Sequence, residues 1–495
     1  MKLSDFLTEN LYRCILQSDI IEVEALSCDS RKATKNCAFF MTADVCYESV
    51  SYAQEAIEKG AIVIIADCDK LKSRYLNELK KICEAGGLSL YLARKIRRAL
   101  ACAAKKFYGM PDSGMTIIGI TGTKGKTTTA FFLNEILRNA GIKTGIIGTN
   151  GVFYDNIREA TRNTTPDAID CFRILRKMRD MGIMTVIMEV SSQAMKMDRV
   201  YGIRFAYGVF TNIGHDHISP KEHASMKEYV CCKSLLFKQC DVAWLNAGDR
   251  YAGYMKRRAV SECFFYGGNR NSSLYILRSR VAMENGKMKS CFTTGGMESL
   301  EYELSVPGRF NIENALPAIA IARNMGISYL LRKRALSSIV LKGRMESITM
   351  QNGAVFIIDY AHNAMSLKGL LLAVREYNPR RILCIFGCGG NRAVSRRYEM
   401  GAVSGKYADV TIITSDNPRD ENPERIMDMI EEGIRKTGGA YRRVADRKQA
   451  VKTAYKMSRK GDILILAGKG HEDYQEINGV LYQMDERKMI EECNE

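Results

Sequence analysis

Gly122, Thr123, Lys124, Gly125, Lys126, Thr127 and Thr128 stand between an apolar run, MTIIGI, and a helical pattern, TTTAFFLNEILRNA. A glycine loop in that setting lets main-chain N–H groups and the positive end of a helix dipole cradle phosphates. Lys126 would reach the β- and γ-phosphates of a nucleotide, and Thr127 would ligate Mg²⁺. The eight-residue form of this motif has glycine where this chain has Ile120, so the match is to the shorter G-x-x-G-K-T form, with a surface turn as the alternative. Glu189 closes a second apolar run, TVIMEV, where a carboxylate is costly unless it faces a cleft or a cation. It is a candidate ligand of Mg²⁺, direct or indirect, against the plainer reading of an exposed strand-end acid. Of only five histidines, His215, His217 and His223 fall within nine residues after the run YGVFTNI. Zinc is conceivable for such a cluster, but no cysteine joins it closely and the nearby phosphate loop favours Mg²⁺. Lys233 follows two cysteines in EYVCCKSLLF; on residue type alone it buries its stem and lifts its ammonium to water.

The elements that must position these groups alternate between strand and helix patterns. Residues 1–110 read as a small mixed region, with a buried strand at AIVIIAD (61–67) and a basic helix over Leu92 to Phe107. Gly109, Pro111, Asp112, Ser113 and Gly114 mark a boundary. Residues 111–341 carry strands at MTIIGI, TVIMEV (185–190) and YGVFTNI (207–213). A Gly- and Arg-rich stretch from 246 to 300 is then expected as loops and antiparallel strands, before a helix opens at VPGRFNIENALPAIAIA (306–322). Residues 342–495 repeat one plan: ILCIFG then CGGNR, VTIIT then SDNPRD, DILILAG then KGHEDYQ. In each unit the unusual polar residues follow the strand, the ligand-binding end of a parallel, doubly wound sheet.

Composition narrows the class. With 46% hydrophobic and 26% charged residues, the chain is neither disordered, collagenous nor a coiled coil. The N-terminus lacks an apolar signal region and no run nears about 18 apolar residues, so the expectation is a soluble, cytoplasmic protein without a membrane partner. Sixteen scattered cysteines without a C-x-x-C pair suit reduced thiols. Lys+Arg of 73 against Asp+Glu of 56 leave a net charge of +17, compatible with nucleic acid or an anionic small substrate. The basic residues come in short separated groups without an RNA-binding signature, and each group reads as solvated surface.

Taken together in this order, GTKGKTT, NTTPDA (163–168), EVSSQAMKMDRV (189–200), TNIGHDH (211–217), PGRFNIEN (307–314), GRME (343–346), DYAH (359–362) and GKGHEDYQ (468–475) resemble the Mur ligases, and among them the MurE type. The resemblance runs from about residue 25 to the end of the chain. It implies an α/β fold of three domains: a small mixed α/β N-terminal domain that binds a UDP-sugar (1–110), a central P-loop ATPase domain with a mostly parallel sheet (111–341), and a C-terminal Rossmann-like doubly wound domain that binds an amino acid (342–495). It also implies ligase chemistry. ATP converts a carboxylate to an acyl phosphate, which an amine attacks, and positioning and charge stabilisation do most of the work. The implied reaction adds meso-diaminopimelate to UDP-N-acetylmuramoyl-L-alanyl-D-glutamate in peptidoglycan precursor synthesis. Only small-molecule partners are implied, with no nucleic acid, and the chain is expected to be monomeric.

By the same resemblance Lys126 and Thr127 hold ATP and Mg²⁺, while Glu189 and His217 are metal ligands. Lys233 matches the lysine that these ligases carry as an N-carboxylated side chain, a CO₂-derived carbamate able to hold a second Mg²⁺. That reading displaces the snorkelling one. Asn314, Arg344 and Asp359 match nucleotide-proximal positions. Ser30, Asn163, Thr164, Thr165, Ser191 and Arg199 match contacts to the UDP-muramoyl-dipeptide, whose phosphates and carboxylates call for donors and positive charge. Asp416, Asn417, Pro418 and Arg419 form the DNPR motif that goes with diaminopimelate. Arg392 and Arg419 would take a carboxylate of that substrate, and Glu472 with the Gly468 backbone its ammonium. A capped turn before a helix at Glu424 is the plainer reading of DNPR alone.

The chain also departs from the family pattern. Asn36, Asp44 and Ser49 replace glycines of the uridine loop, GGNRA (389–393) replaces GGDRD, Arg396, Arg397 and Tyr398 replace KRP, and Ala364 replaces a proline. Two alternatives therefore stay open: a paralogue that ligates another amino acid such as L-lysine or uses another acceptor, and a P-loop switch or nucleic-acid-stimulated ATPase. The second leaves Lys233, DNPR and GHED without a role.

Overall fold

The computed structural model describes residues 1–7, 11–18, 22–42, 47–214, 218–219, 222–284 and 287–494. The chain divides into two compact units, residues 1–130 with 141–266 and residues 131–140 with 267–495.

The first unit holds two sheets. Five strands run in the order Tyr12–Leu16, Ser89–Ala93, Ala61–Asp67, Cys37–Met41, Ala25–Ser27. All are parallel except the Tyr12–Leu16 edge. AIVIIAD sits at the centre and is buried at every position but Ile62, as a near-continuous apolar run in a parallel sheet should be. The basic helix starts at Ile96 rather than Leu92. Leu92 is claimed by β pairing on both sides, with Arg13 and Ala66, and Lys95 turns the chain with a left-handed φ of 49°.

The second sheet of this unit runs Glu262–Tyr266, Cys240–Asn246, Phe205–Phe210, Thr116–Thr121, Thr185–Glu189, Thr144–Gly148, Gly151–Tyr154, Ile157–Glu159. The first six are parallel and the last two return as antiparallel hairpins. Glu189 pairs with Ile120 and Phe210 with Thr121, so the loops that follow these three strands leave from one end of the sheet. The expectation of loops and antiparallel strands from 246 fails here. Ala252–Arg258 is a helix with Ala252 and Met255 buried and Lys256 and Arg257 exposed, and Glu262–Tyr266 pairs in parallel with Cys240–Asn246. The charged outer face of one short crossover helix had hidden a βαβ unit.

The second unit contains the antiparallel strands Leu274–Glu284, Lys287–Gly296 and Glu301–Leu304, followed by the helices Arg309–Asn324 and Tyr329–Ser338. Its six-stranded sheet runs Glu346–Thr349, Val355–Asp359, Asp462–Ala467, Arg381–Phe386, Val410–Ile413, Tyr441–Arg443. Only the Glu346–Thr349 edge is antiparallel. Phe356, Ile358, Leu383, Ile385, Ile412, Leu464 and Leu466 form its core. A hairpin, Tyr474–Ile477 with Val480–Gln483, follows the last central strand. The architecture is mixed α/β with largely parallel sheets. Among the described residues no helix is long and apolar enough to cross a membrane, and the fifteen described cysteines are free.

Two departures from the family pattern have simple structural answers. Asn36 occupies a left-handed φ of 58°, a conformation asparagine tolerates better than most residues, while Ser49 is buried and Asp44 lies outside the described residues. Ala364 is the first residue of a helix whose cap is the Asn363 side chain, a position where proline and alanine are both acceptable.

Candidate active site

In the first unit the loop 122–126 leads from the strand Thr116–Thr121 into the helix Lys126–Asn139. Gly122 has a φ of 154°, and a Cβ there would lie 1.8 Å from the Thr211 hydroxyl, so no larger residue fits. The loop is braced from the strand end at Phe210. The amide of Lys124 donates to Asn212 Oδ1 at 2.9 Å, the Thr211 hydroxyl donates to the Lys124 carbonyl at 2.6 Å, and Thr123 N donates to Asn212 O at 2.8 Å. Lys126 Nζ folds back onto the carbonyls of Gly122 and Thr123 at 2.8 and 3.2 Å.

Glu189 is only 1% exposed. Its carboxylate accepts from the Thr127 hydroxyl at 2.9 and 3.0 Å, from the Thr149 amide at 3.1 Å and from the Thr149 hydroxyl at 3.1 Å. Such a buried acid is stabilised by its donors. Carboxylate and hydroxyl oxygens beside a phosphate loop form the hard, all-oxygen donor set that suits Mg²⁺. Lys233 comes from the helix Met226–Ser234 and is 2% exposed. Its Nζ donates to the Gly122 carbonyl at 2.8 Å and lies 4.7 Å from the centre of the Tyr229 ring, whose hydroxyl is 2.9 Å from that of Thr123. Lysine here does not snorkel: the structure brings it to the loop that the sequence assigned to phosphate. His217 lies outside the described residues. His223 is buried, with Nε2 2.9 Å from the Ser192 hydroxyl.

The residues matched to the nucleotide-sugar substrate gather beside Glu189. The Thr165 hydroxyl donates to the Glu189 carbonyl at 2.8 Å and accepts from the Ser191 amide at 3.0 Å. Arg199 Nη1 donates to the Thr165 carbonyl at 3.0 Å, and burial lowers the basicity of its guanidinium. The Thr164 and Thr149 hydroxyls are 3.1 Å apart. Asn163 lines a cleft of 490 Å³ together with Asp29, Lys32, Arg162 and Arg173. Ser30 is placed differently from that group: it is buried and donates to Glu55 Oε2 at 2.6 Å.

The second unit carries the remaining candidates. Asp359 receives the amides of Met345 and Ala361 at 2.9 Å each, and Arg344 lies 5.0 Å from the centre of the Tyr360 ring. Asn314 Nδ2 is 3.3 Å from Asn311 Oδ1. At the carboxyl ends of the parallel strands, Asp416, Asn417 and Glu472 surround Lys469, which is fully buried. Lys469 Nζ donates to Asn417 Oδ1 at 2.5 Å and to the Tyr474 carbonyl at 2.6 Å, with Glu472 at 3.5 Å and Asp416 at 3.8 Å. Burial pulls the Lys469 ammonium below its usual value and pushes the Glu472 carboxyl above its own. Asn417 Nδ2 donates to Glu472 at 3.0 Å. A Cβ on Gly468 would lie 2.8 Å from Asp416 Oδ2, which places the Gly468 backbone in the same pocket. Arg419 adopts a left-handed φ of 53° and donates from Nε to Glu476 at 2.9 Å and from Nη1 to the Gly390 carbonyl at 2.7 Å. Gly390 admits no side chain, since a Cβ would sit 1.9 Å from the Pro418 carbonyl. Arg392 is exposed on the same glycine turn.

Sequence reasoning missed Thr149, Asn212, Lys469 and Glu476. Lys469 had a signal, since a lysine directly after the buried strand DILILAG must find anions or carbonyls. Thr149 had none, because its role depends on a strand pairing between Thr144–Gly148 and Thr185–Glu189.

Residues 120–322 match the Mur ligase middle domain and residues 343–470 the Mur ligase glutamate ligase domain. Among curated proteins the chain is 36% identical over 473 residues to the UDP-N-acetylmuramoyl-L-alanyl-D-glutamate--2,6-diaminopimelate ligase of Caldanaerobacter subterraneus subsp. tengcongensis, covering 95% of each chain. It is 34% identical over 498 residues to the protein of that name from Clostridium tetani, covering 100% of this chain and 99% of the other. A solved structure of a UDP-N-acetylmuramoyl-L-alanyl-D-glutamate--2,6-diaminopimelate ligase superposes with a TM-score of 0.69 at 26% identity over 97% of both chains.

Proposed function

The chain belongs to the Mur ligase family, and from that premise we propose that it adds meso-diaminopimelate to UDP-N-acetylmuramoyl-L-alanyl-D-glutamate, with ATP as the source of activation. The supporting observation is the cluster at the end of the central sheet, where the buried Glu189 carboxylate meets the Thr127 hydroxyl and Lys233 reaches the Gly122 carbonyl of the same loop. In this reading three domains divide the work: residues 1–110 take the UDP-sugar, 111–341 the ATP, and 342–495 the amino acid.

The residues act as follows. Lys126 exchanges the Gly122 and Thr123 carbonyls for phosphate oxygens, and the loop amides receive the rest of the phosphate charge. Thr127, Glu189, His217 and Lys233 as a carbamate would hold two Mg²⁺ ions, which when bound neutralise the transferring phosphoryl group. To serve as a ligand, Lys233 would add CO₂ as its neutral amine and release a proton, becoming an anion. Thr164, Thr165, Ser191, Asn163 and Arg199 orient the acceptor so that its carboxylate is phosphorylated. The amine of diaminopimelate then attacks the acyl phosphate, forming the amide and releasing phosphate. At the far end of that substrate, Arg419 and Arg392 take the second carboxylate, and Glu472 with the Gly468 backbone the ammonium. The enzyme works as a cytoplasmic monomer on small molecules alone.

Phosphate release, measured with each acceptor and amine in turn and with added DNA or RNA, tests this. Release is expected only with the UDP-muramoyl-dipeptide and meso-diaminopimelate together. Release that needs a different amine, or that nucleic acid alone stimulates, refutes the reading.

A further inference from the structure

Glu476 lies just beyond the GKGHEDYQ motif, on the strand Tyr474–Ile477 of the small hairpin. Its Oε2 accepts from Arg419 Nε at 2.9 Å, while Arg419 Nη1 is held by the Gly390 carbonyl at 2.7 Å. Contacts on two different nitrogens fix the plane of a guanidinium, and Nη2 is left with no partner among the described residues. The main chain is fixed separately. Arg419 N donates to the Glu476 carbonyl at 3.1 Å and Asn478 N to the Arg419 carbonyl at 2.9 Å, a short parallel bridge that holds the left-handed Arg419 in place. The hairpin therefore places the Arg419 backbone through its own backbone, and the Arg419 side chain through one carboxylate.

We infer that Glu476 is a positioning residue of the amino-acid site, which holds the Arg419 guanidinium by Nε and leaves its Nη2 for the distal carboxylate of the incoming amine. This rests on the reading of Arg419 given above. Without Glu476 the long arginine side chain regains rotamer freedom, and each binding event must order it again. The loss falls on binding of the amine, because Arg419 is remote from the bonds that break and form. Glu476 is partly exposed and its main-chain bonds survive truncation, so the variants are expected to fold.

The experiment is a double-mutant cycle on the full chain: Glu476→Ala, Glu476→Gln, Arg419→Ala and Arg419→Ala/Glu476→Ala, with the amine that the wild type turns over best. Glu476→Ala should raise KM for that amine about tenfold, leaving kcat within about twofold and KM for ATP unchanged. Glu476→Gln, which keeps an acceptor for Nε–H, should recover most of the loss. In the Arg419→Ala background, removal of Glu476 should add nothing. An unchanged KM in Glu476→Ala, a Gln variant as impaired as Ala, or two losses that multiply would overturn the inference. The identity of the best amine tests the diaminopimelate reading separately: a wild type that prefers an amine without a distal carboxylate defeats that reading, while the presence or absence of coupling between positions 419 and 476 still decides the role of Glu476.

Discussion

The two polar pockets described above are braced by different kinds of partner. Around the phosphate loop, among the described residues, the hydroxyls of Thr127 and Thr149 and an amide brace Glu189, and Lys126 and Lys233 donate to main-chain carbonyls. In the pocket of the second unit the charges are already paired within the protein, Lys469 with Asp416 and Glu472, and Arg419 with Glu476. A pocket of the first kind gains further interactions when an anion and cations arrive. A pocket of the second kind is preorganised, and a ligand enters by sharing contacts that exist beforehand. Substitutions in the first should therefore act on turnover by orders of magnitude, and those in the second on discrimination by smaller factors.

The strongest way to break this contrast is Lys126→Ala. It should lower ATP-dependent ligation by on the order of 10³-fold, while the thermal midpoint stays within about 2 °C, because the lysine is satisfied by loop carbonyls rather than by core packing. Ligation near the wild-type rate would show that the loop does not handle phosphate. Next in size, Lys233→Ala should cost on the order of 10²-fold, and short-chain carboxylic acids should restore part of the rate by supplying the missing oxygen ligand. A fully active variant would end the carbamate proposal.

On the other side of the contrast, Arg419→Ala should reduce kcat/KM for diaminopimelate by roughly one to two orders of magnitude, the value of one charge-assisted contact, and reduce that for lysine far less. Equal losses for both amines would leave DNPR as a turn and nothing more.

The smallest effect concerns stability rather than catalysis, and it sharpens what prior charge pairing does. Burial alone would push the Asp462 carboxyl up, but hydrogen bonds from Arg380 and Arg381 and from the Arg459 amide outweigh it and hold the group at about 2. A folded value below the unfolded one means stability that is full above about pH 4 and is lost as pH falls towards 2. Asp462→Asn should therefore cost about 2 kcal/mol in urea unfolding at pH 6, and the gap from wild type should close as pH falls from 4 to 2. A gap independent of pH would assign the effect to packing.

The same contrast explains what could be read from the sequence. The phosphate loop was legible because its chemistry is local: strand, glycines, lysine and threonine follow one another along the chain. Glu189 was legible as an oddity, an acid ending an apolar strand, although its donors come from a neighbouring strand end. The doubly wound plan of the C-terminal sheet was legible from the repeated run of apolar strand and polar turn. What escaped was chemistry that depends on register. Thr149 reaches Glu189 only because Thr144–Gly148 and Thr185–Glu189 pair as they do. Glu476 meets Arg419 only because a hairpin returns to the glycine turn. The strand at Glu262–Tyr266 was obscured for another reason, since the basic outer face of Ala252–Arg258 dominates a stretch whose buried residues are few.

The hydroxyl of Thr149 possesses a single proton and two neighbours. It gives that proton to Glu189 and stands 3.1 Å from the Thr164 hydroxyl, so with respect to Thr164 it has only lone pairs to offer. Thr164 therefore has to turn its own proton towards Thr149, and its remaining capacity is that of an acceptor. A substrate group that instead demands the proton of Thr164 withdraws it from Thr149 and changes how firmly Thr149 can support the Glu189 carboxylate. Two oxygens and two protons thus form a small logical link, in which the state of the acceptor position and the state of the acid beside Thr127 are not independent variables; by linkage, whatever one imposes on the other must be returned in equal measure.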